Sequence, residues 1–230
     1  MAKLQFINQF FDLVFPRSCA ACGVSMVMNE KFICTQCLLE LPKTNFHKHK
    51  NNPVAQSFWG RVNIEDATAY YFFEKGSKFK NLIHNIKYKG QKELGLGLGK
   101  IFGQELKHTK FGLVDEIIPV PLHYRKKRQR GFNQSERIAK GLAESLCKPL
   151  NTKQLYRAKA NPTQTNKSRY ERWENVEGIF KLKDPESLKG KHILLVDDVL
   201  TTGSTIEACA HPILEIEGTQ ISLAVLAYAL

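Results

Sequence analysis

The sequence contains no apolar run long enough to cross a membrane, because none of its stretches reaches the roughly eighteen consecutive apolar residues that a span needs. Apolar residues do recur at helical spacing near the start, but polar residues interrupt them and no cleavage site follows. We therefore expect a helix docked on the body of the protein, no signal peptide, no integral membrane segment and a cytoplasmic location. The apolar positions of this helix are Leu4, Ile7, Phe10, Phe11 and Val14.

The sequence also lacks the pattern Gly-x-x-x-x-Gly-Lys-Ser/Thr, and this absence excludes a P-loop ATPase. The glycine run from Gly95 to Lys100 has neither the leading glycine nor the hydroxyl of that pattern. It fails the dinucleotide-binding pattern Gly-x-Gly-x-x-Gly as well, since position 100 is lysine, and no buried strand precedes it. We interpret this run as a glycine-containing helix.

Acidic residues are scarce relative to basic ones, with 22 Asp and Glu against 34 Lys and Arg and a net charge of +12. The excess is local: residues 125–130 hold five basic side chains, and residues 153–172 hold six against one acid. Residues 75–110 contain nine lysines, which solvated helix faces could also explain. The cluster at 125–130 follows a predicted strand and favours a polyanionic partner.

Residues 193–205 carry the strongest functional pattern of the chain. Four apolar residues, Ile193 to Val196, predict a strand buried on both faces, and Asp197 and Asp198 follow where we expect it to end. The next segment opens a predicted helix with hydroxyl groups and a glycine, which together form a ready anion site. Its residues are Thr201, Thr202, Gly203, Ser204 and Thr205. An acidic pair beside a phosphate cradle fits a phosphorylated sugar, although ordinary helix caps use the same residue types.

Four of the six cysteines have the spacing Cys-x2-Cys-x11-Cys-x2-Cys. Two such pairs can supply four thiolates to a tetrahedral Zn²⁺, and a site with four sulfur ligands is closed and therefore structural. Disulfides are the alternative, but they would require export. The four are Cys19, Cys22, Cys34 and Cys37, with His47 and His49 nearby as substitutes. Cys147 and Cys209 lie in predicted helices and are expected to be core thiols.

The apolar patterns predict an α/β fold with a parallel sheet flanked by helices. Strands are predicted at 67–73, 113–120, 150–156, 178–182, 192–197 and 219–228, and helices at 77–88, 91–107, 133–146 and 204–216. Residues 157–177 form a polar, basic stretch long enough to be a functional lid. We divide the chain into residues 1–55, an N-terminal helix with a small zinc-knuckle module, and residues 56–230, the sheet domain.

The segment Val196 to Thr205 resembles the phosphoribosyl pyrophosphate (PRPP) motif of type I phosphoribosyltransferases. The whole pattern resembles the ComF competence family, and several independent motifs in the same order carry this likeness. Besides the cysteines and the PRPP motif, they are Pro119-Val-Pro-Leu-His123, Arg130-Gly-Phe-Asn-Gln134 and Thr163-Gln164 with Arg169, Arg172, Asn175-Val176 and Gly178.

The resemblance implies a role for each part of the site. Asp197 and Asp198 would hold the ribose hydroxyls, with Mg²⁺ bridging ribose and pyrophosphate oxygens, and residues 201–205 would bind the 5′-phosphate. Residues 157–175 match the family's hood, and no nucleophile or general base stands out. The pyrophosphate loop would comprise Val120, Pro121 and Leu122, with Arg125, Arg128 or Arg130 neutralising the diphosphate.

Three functions remain open at the level of sequence. The first is a competence factor that binds single-stranded DNA, works with a competence helicase and holds PRPP or a nucleotide at the acidic pair. The second is a metabolic phosphoribosyltransferase, and the third is a non-catalytic, zinc-stabilised interaction protein. Phe132, Tyr170 and Trp173 could stack on bases or pack internally. A glutamine amidophosphoribosyltransferase is not expected, since Met1-Ala2-Lys3 offers no N-terminal cysteine nucleophile.

Overall fold

The computed structural model describes residues 17–27, 30–74, 78–158 and 178–230, and a four-stranded parallel sheet forms its centre. The strands lie in the order β1 (Ala67–Phe73), β6 (Gln220–Ala229), β5 (His192–Leu200) and β2 (Glu116–Pro119). A separate antiparallel pair joins β3 (Leu155–Arg157) to β4 (Phe180–Leu182). The predicted lid beyond residue 158, the N-terminal helix and the stacking candidates Tyr170 and Trp173 lie outside the described residues, whereas Arg157 at the start of the predicted lid belongs to β3.

Seven α-helices are described. Two short ones, α1 (Thr35–Glu40) and α2 (Pro53–Gln56), precede the sheet, and the others are α3 (Lys78–Tyr88), α4 (Lys92–Leu106), α5 (Tyr124–Arg130), α6 (Gln134–Leu146) and α7 (Ser204–Leu214). Three short 3-10 segments occupy Phe46–Lys48, Lys110–Leu113 and Pro185–Leu188. Within these described ranges, none of the helices combines the length and apolar character that crossing a bilayer requires.

The core is divided between the two faces of the sheet because successive strand residues point to opposite sides. On β5, Leu194 and Val196 pack with α3, α4 and α6, whereas Ile193 and Leu195 pack with α7. Helix α3 packs on the sheet through one face, because its buried apolar residues follow the spacing i, i+3, i+4 and i+7. They are Phe79, Leu82, Ile83 and Ile86. This double layer confirms the predicted sheet flanked by helices.

Helices α4 and α6 approach each other so closely that glycine is required at the contact. A Cβ atom added at Gly99 would collide with the carbonyl oxygen of Ile138, and one added at Gly141 would collide with the carbonyl oxygen of Leu96. The glycine run of α4 is helical, as predicted, and the structure shows that it is also a packing surface for α6, whose first turn reaches the acidic pair.

The structure differs from the predicted elements in four places. Strand β5 continues through both aspartates to Leu200, because Val199 and Leu200 still pair with β6. The predicted strand at 113–120 begins only at Glu116, since a 3-10 turn precedes it, and the strand near 150 is reduced to a bridge before β3. Helix α5 was not predicted. Cys147 is exposed and caps α6 in a left-handed conformation, so it is not a core thiol, whereas Cys209 is buried.

Candidate functional site

The acidic pair lies at the carboxyl edge of the sheet, where two helices begin. Asp197 and Asp198 lie in the second half of β5, next to β6, and their strand leads directly into the loop that opens α7. Ser135 in the first turn of α6 reaches the same place. Ligands of parallel α/β sheets bind at this edge, so the location agrees with the prediction.

Asp197 is held from within the protein. Its Oδ1 accepts a hydrogen bond of 2.7 Å from the Ser135 hydroxyl and one of 2.8 Å from the Asp198 backbone amide. Burial raises the pKa of the Asp197 carboxyl above its usual range, and the neighbouring Asp198 carboxylate raises it further, while both hydrogen bonds lower it. Asp197 is therefore anchored by hydrogen bonds from within the protein.

The charge of Asp198 is balanced by a lysine. Lys87 Nζ lies 2.7 Å from Asp198 Oδ2, while Oδ1 accepts a bond of 2.8 Å from the Val199 amide. As placed, both carboxylates contact protein groups, with 9% and 6% of the surface of Asp197 and Asp198 exposed. A ribose diol or a cation that binds Asp198 Oδ2 must therefore take the position of the Lys87 ammonium group.

The phosphate loop after β5 presents hydroxyl groups to solvent. Thr201, Thr202, Ser204 and Thr205 are exposed, whereas Gly203 between them is buried. Gly203 adopts φ 78° at the N-cap of α7, a left-handed conformation that glycine tolerates best, and no side chain caps this helix end. The first amides of α7 and the exposed hydroxyls thus lie together at the start of this helix, as an anion site requires.

Arg61, which precedes β1 in the sequence, holds this loop in place. Arg61 Nη1 donates a hydrogen bond of 2.8 Å to the Thr202 carbonyl oxygen, and Nη2 pairs with Glu207 of α7. The ring of Phe58 packs so near Gly203 that a Cβ there would lie 3.0 Å from it. A cavity of about 500 Å³ lies along residues 55–64, beside the loop rather than at the acidic pair.

The pyrophosphate-loop candidates lie on the neighbouring strand. Val120 is buried and its amide donates to the Val196 carbonyl oxygen at 2.8 Å, which places the end of β2 beside the acidic pair. Pro121 and Leu122 are half-buried. Asn133 ties this loop to α6: its side-chain amide donates to the Val120 carbonyl oxygen at 2.9 Å, and its Oδ1 accepts from the Ser135 amide.

The arginine candidates all belong to α5. Arg125 and Arg128 are exposed, and Arg130 is half-buried, with Nη1 3.0 Å from Gln134 Oε1. The structure therefore brings the acidic pair, the phosphate loop and the Val120–Leu122 segment to one edge of the sheet, with α5 projecting from that edge. It also explains the motif at 130–134, because Asn133 and Gln134 hold the loop and the arginine in place.

The sequence analysis missed Lys87, Ser135 and Arg61. Lys87 is one of nine lysines between residues 75 and 110, and nothing in the sequence distinguishes it from a solvated lysine. Ser135 directly follows a motif that the analysis singled out, so its position gave a usable signal. Arg61 reaches a loop 141 residues away, a contact that no local pattern encodes.

The four cysteines form one cluster near α3. Their sulfur atoms all lie within 4.8 Å of one another, and Cys22 Sγ and Cys34 Sγ are 3.8 Å apart. Tetrahedral Zn²⁺ with bonds of about 2.3 Å would separate its sulfur ligands by about 3.8 Å, so the cluster fits this ion. His47 and His49 are not part of the cluster in the described residues.

Local hydrogen bonding prepares the cysteine site for thiolates. The amide of Cys34 donates to Cys19 Sγ and that of Cys37 donates to Cys34 Sγ. Although burial acts to raise it, the backbone amides of Cys34, Cys22 and Ala21 lower the pKa of Cys19 to about 7, whereas burial and the neighbouring thiols raise the pKa of Cys37. Four thiolates this close together require a cation to balance their charge.

Comparison with known proteins agrees with this site. The family model described as "Phosphoribosyl transferase domain" matches residues 129–230, which contain the start of α6, the acidic pair and the phosphate loop. The chain is 31% identical over 202 residues to the DNA utilization protein YhgH of Shigella flexneri, covering 85% of this chain and 83% of that protein.

Two competence proteins match shorter stretches. Competence protein F of Haemophilus influenzae is 30% identical over 130 residues, which is 54% of this chain and 57% of that protein. Competence protein ComFC of Bacillus subtilis is 31% identical over 136 residues, which is 59% of this chain and 53% of that protein. With the phosphoribosyltransferase fold and the four-cysteine cluster already established, these relatives confirm the resemblance: the chain belongs to the ComF competence family.

Proposed function

We propose that the protein binds PRPP, or a related phosphorylated ribose, and single-stranded DNA, and that it acts in DNA uptake. The observation that carries the sugar–phosphate part is the convergence of the Asp197–Asp198 pair and the exposed loop Thr201–Thr205 at one edge of the sheet. The DNA part is supported by the basic charge of α5 beside that edge and by the relatives, which are named for DNA utilization and competence.

In this proposal each loop binds one part of the ligand. The amides and hydroxyls of residues 201–205 bind the 5′-phosphate, and Asp198 binds the ribose hydroxyls. Asp197 holds Asp198 in place, because its Oδ1 accepts a hydrogen bond from the Asp198 backbone amide. Mg²⁺ would be held by Asp198 together with ligand oxygens, and it would supply positive charge to the diphosphate. The carboxylate fits a cation, since an ammonium group already lies 2.7 Å from it. The segment Val120–Leu122 and the arginines of α5 would neutralise the diphosphate.

We further propose that Zn²⁺ in the cysteine cluster is structural, that residues 1–55 form a zinc module packed on the domain at 56–230, and that the protein works in the cytoplasm with a competence helicase. The donor set supports the first part, because four sulfur ligands leave no position open for a substrate.

Thermal unfolding with PRPP and Mg²⁺ tests the sugar–phosphate site. We expect PRPP with Mg²⁺ to raise the Tm of the wild type, because a ligand that binds only the folded state stabilises it. The double variant Asp197→Asn, Asp198→Asn removes both negative charges at nearly constant shape and should abolish this shift. A wild type whose Tm does not respond to PRPP and Mg²⁺ would exclude binding at this site.

Phosphoribosyl transfer is the second candidate function, and the position of residues 201–205 and of Val120–Leu122 around the acidic pair favours it. Release of pyrophosphate from PRPP in the presence of nucleobases, amines or DNA measures it directly. Binding of PRPP without pyrophosphate release under any of these conditions would favour the non-catalytic alternative, a zinc-stabilised interaction protein.

A further inference from the structure

Two tyrosines beside the acidic pair are exposed rather than packed. Tyr88 ends α3 and Tyr124 begins α5, and each leaves 65% of its surface in solvent. Both carry a guanidinium group over the ring: Arg130 lies 5.3 Å from the Tyr88 centroid and Arg125 lies 5.8 Å from the Tyr124 centroid. A cation held over a ring limits the motion of both groups, so the two rings form fixed flat surfaces.

Helix α5 contributes charge without contributing to the core. It has no buried residue, and five of its seven side chains are basic. Among the described residues, its only ion pair with a carboxylate joins Lys127 to Glu136, at 3.8 Å. The basic side chains of this helix repel one another in the free protein, and no apolar burial offsets that repulsion. Their charge is therefore suited to binding a polyanion.

From these features we infer that Tyr88, Tyr124 and the basic side chains of α5 form one binding face for single-stranded nucleic acid. Phosphates would contact the basic side chains, and unpaired bases would stack on the two rings. A duplex would hide its base faces from these rings, and an acidic peptide would offer charge without flat rings. This inference rests on the DNA-binding part of the proposed function and assigns it to a surface.

The binding face borders the sugar–phosphate site. Lys87 pairs with Asp198, and Tyr88 is the next residue of the same helix. On the other side, Arg130 is held by Gln134, and the adjacent Ser135 binds Asp197. A strand stacked on the two tyrosines therefore passes beside the acidic pair.

Fluorescence anisotropy with labelled oligo-dT across a salt series tests this face. The variant Tyr88→Ala, Tyr124→Ala should lose about tenfold or more in affinity at every salt concentration. Its slope of log affinity against log salt should stay that of the wild type, because stacking releases no counterions. The pair Tyr88→Phe, Tyr124→Phe keeps both rings and should bind like the wild type.

Trp59→Ala is the matched control, since Trp59 is 62% exposed but lies outside the binding face, and it should leave affinity unchanged. The Tm of each variant shows whether it is folded. If the wild type binds oligo-dT and the folded double alanine variant binds equally well, this face is the wrong one while the DNA-binding function stands. If the wild type does not bind oligo-dT even at low salt, the DNA-binding function itself fails. Equal competition by duplex DNA or by poly-glutamate would overturn the stacking role.

Discussion

Among the residues that the structure describes, Lys87 alone balances the charge of Asp198; its side chain is 21% exposed and that of Asp198 is 9% exposed. A carboxylate this buried loses most of its hydration, so removing its partner leaves a charge with little compensation. The ammonium group also occupies the position that a cation or a diol would need. Lys87 therefore stabilises the buried carboxylate, and we expect a ligand of Asp198 to compete with it.

We expect Lys87→Met to destabilise the protein by about 1–3 kcal/mol, because Asp198 then lacks its counter-charge. Mg²⁺ alone should raise the Tm of this variant more than that of the wild type, since the cation position is vacated. Lys87→Arg keeps the charge and serves as the control in the same unfolding experiment. If Mg²⁺ shifts Lys87→Met and the wild type equally, Lys87 does not occupy the cation position.

At the scale of helices and strands, apolar spacing was sufficient wherever an element packs on the core. It predicted β1 from Ala67 to Phe73 and placed α3, α4, α6, α7 and β6 within a few residues of their observed ends. It missed α5, because a helix with no buried residue has no apolar period to detect. It ended β5 too early, since aspartates usually break a strand, whereas here the ladder to β6 continues past them.

In the candidate site, too, the local features were predictable and the long-range contacts were not. The sequence predicted its local parts, the acidic pair with the loop after it and the four cysteines with their spacing. The contacts that organise those parts are non-local, such as Arg61 with the Thr202 carbonyl and Lys87 with Asp198. Such contacts depend on how elements pack, and no alternation or motif within one segment records them.

The contact between α4 and α6 gives a prediction at this scale. Gly99→Ala should destabilise the protein by about 1–3 kcal/mol, because the new methyl group meets the backbone of α6 and cannot be accommodated by a side-chain movement. Gly95→Ala is the matched control in the same helix, since its nearest neighbour would be the Cβ of Arg137 at 3.4 Å, an ordinary contact. Gly95→Ala should be neutral or stabilising by up to about 1 kcal/mol.

Urea denaturation of both variants measures the difference through the midpoint at unchanged slope. Equal midpoints for Gly99→Ala and Gly95→Ala would show that the two helices separate easily, and the anchoring of α6 beside the acidic pair would then need another explanation.

At the scale of the whole molecule, the cysteine cluster is continuous with the site through α3. Cys19 and Cys37 belong to the same buried cluster as the apolar face of α3. The side-chain amides of Asn81 and Asn85 on that helix donate to the carbonyl oxygens of Ala21 and Ala20, each at 2.8 Å. The other end of α3 carries Lys87 and Tyr88. A structural metal in the cluster would therefore stabilise the helix that borders both proposed binding surfaces.

Removal of the metal should consequently affect the entire protein and not only a small module. We expect one Zn²⁺ per chain by native mass spectrometry, and a chelator or Cys22→Ser should lower the Tm of the main unfolding transition by about 10 °C or more. Cys147→Ser is the matched control, because Cys147 is exposed and outside the cluster, and it should change neither zinc content nor Tm. Because metal removal should destabilise α3, which carries Tyr88, it should also reduce the affinity for oligo-dT. The contrary result is a main transition that keeps its Tm while a second, smaller transition disappears. The cysteine module would then be energetically independent of the sheet, and the proposed connection from zinc through α3 to the acidic pair would be wrong.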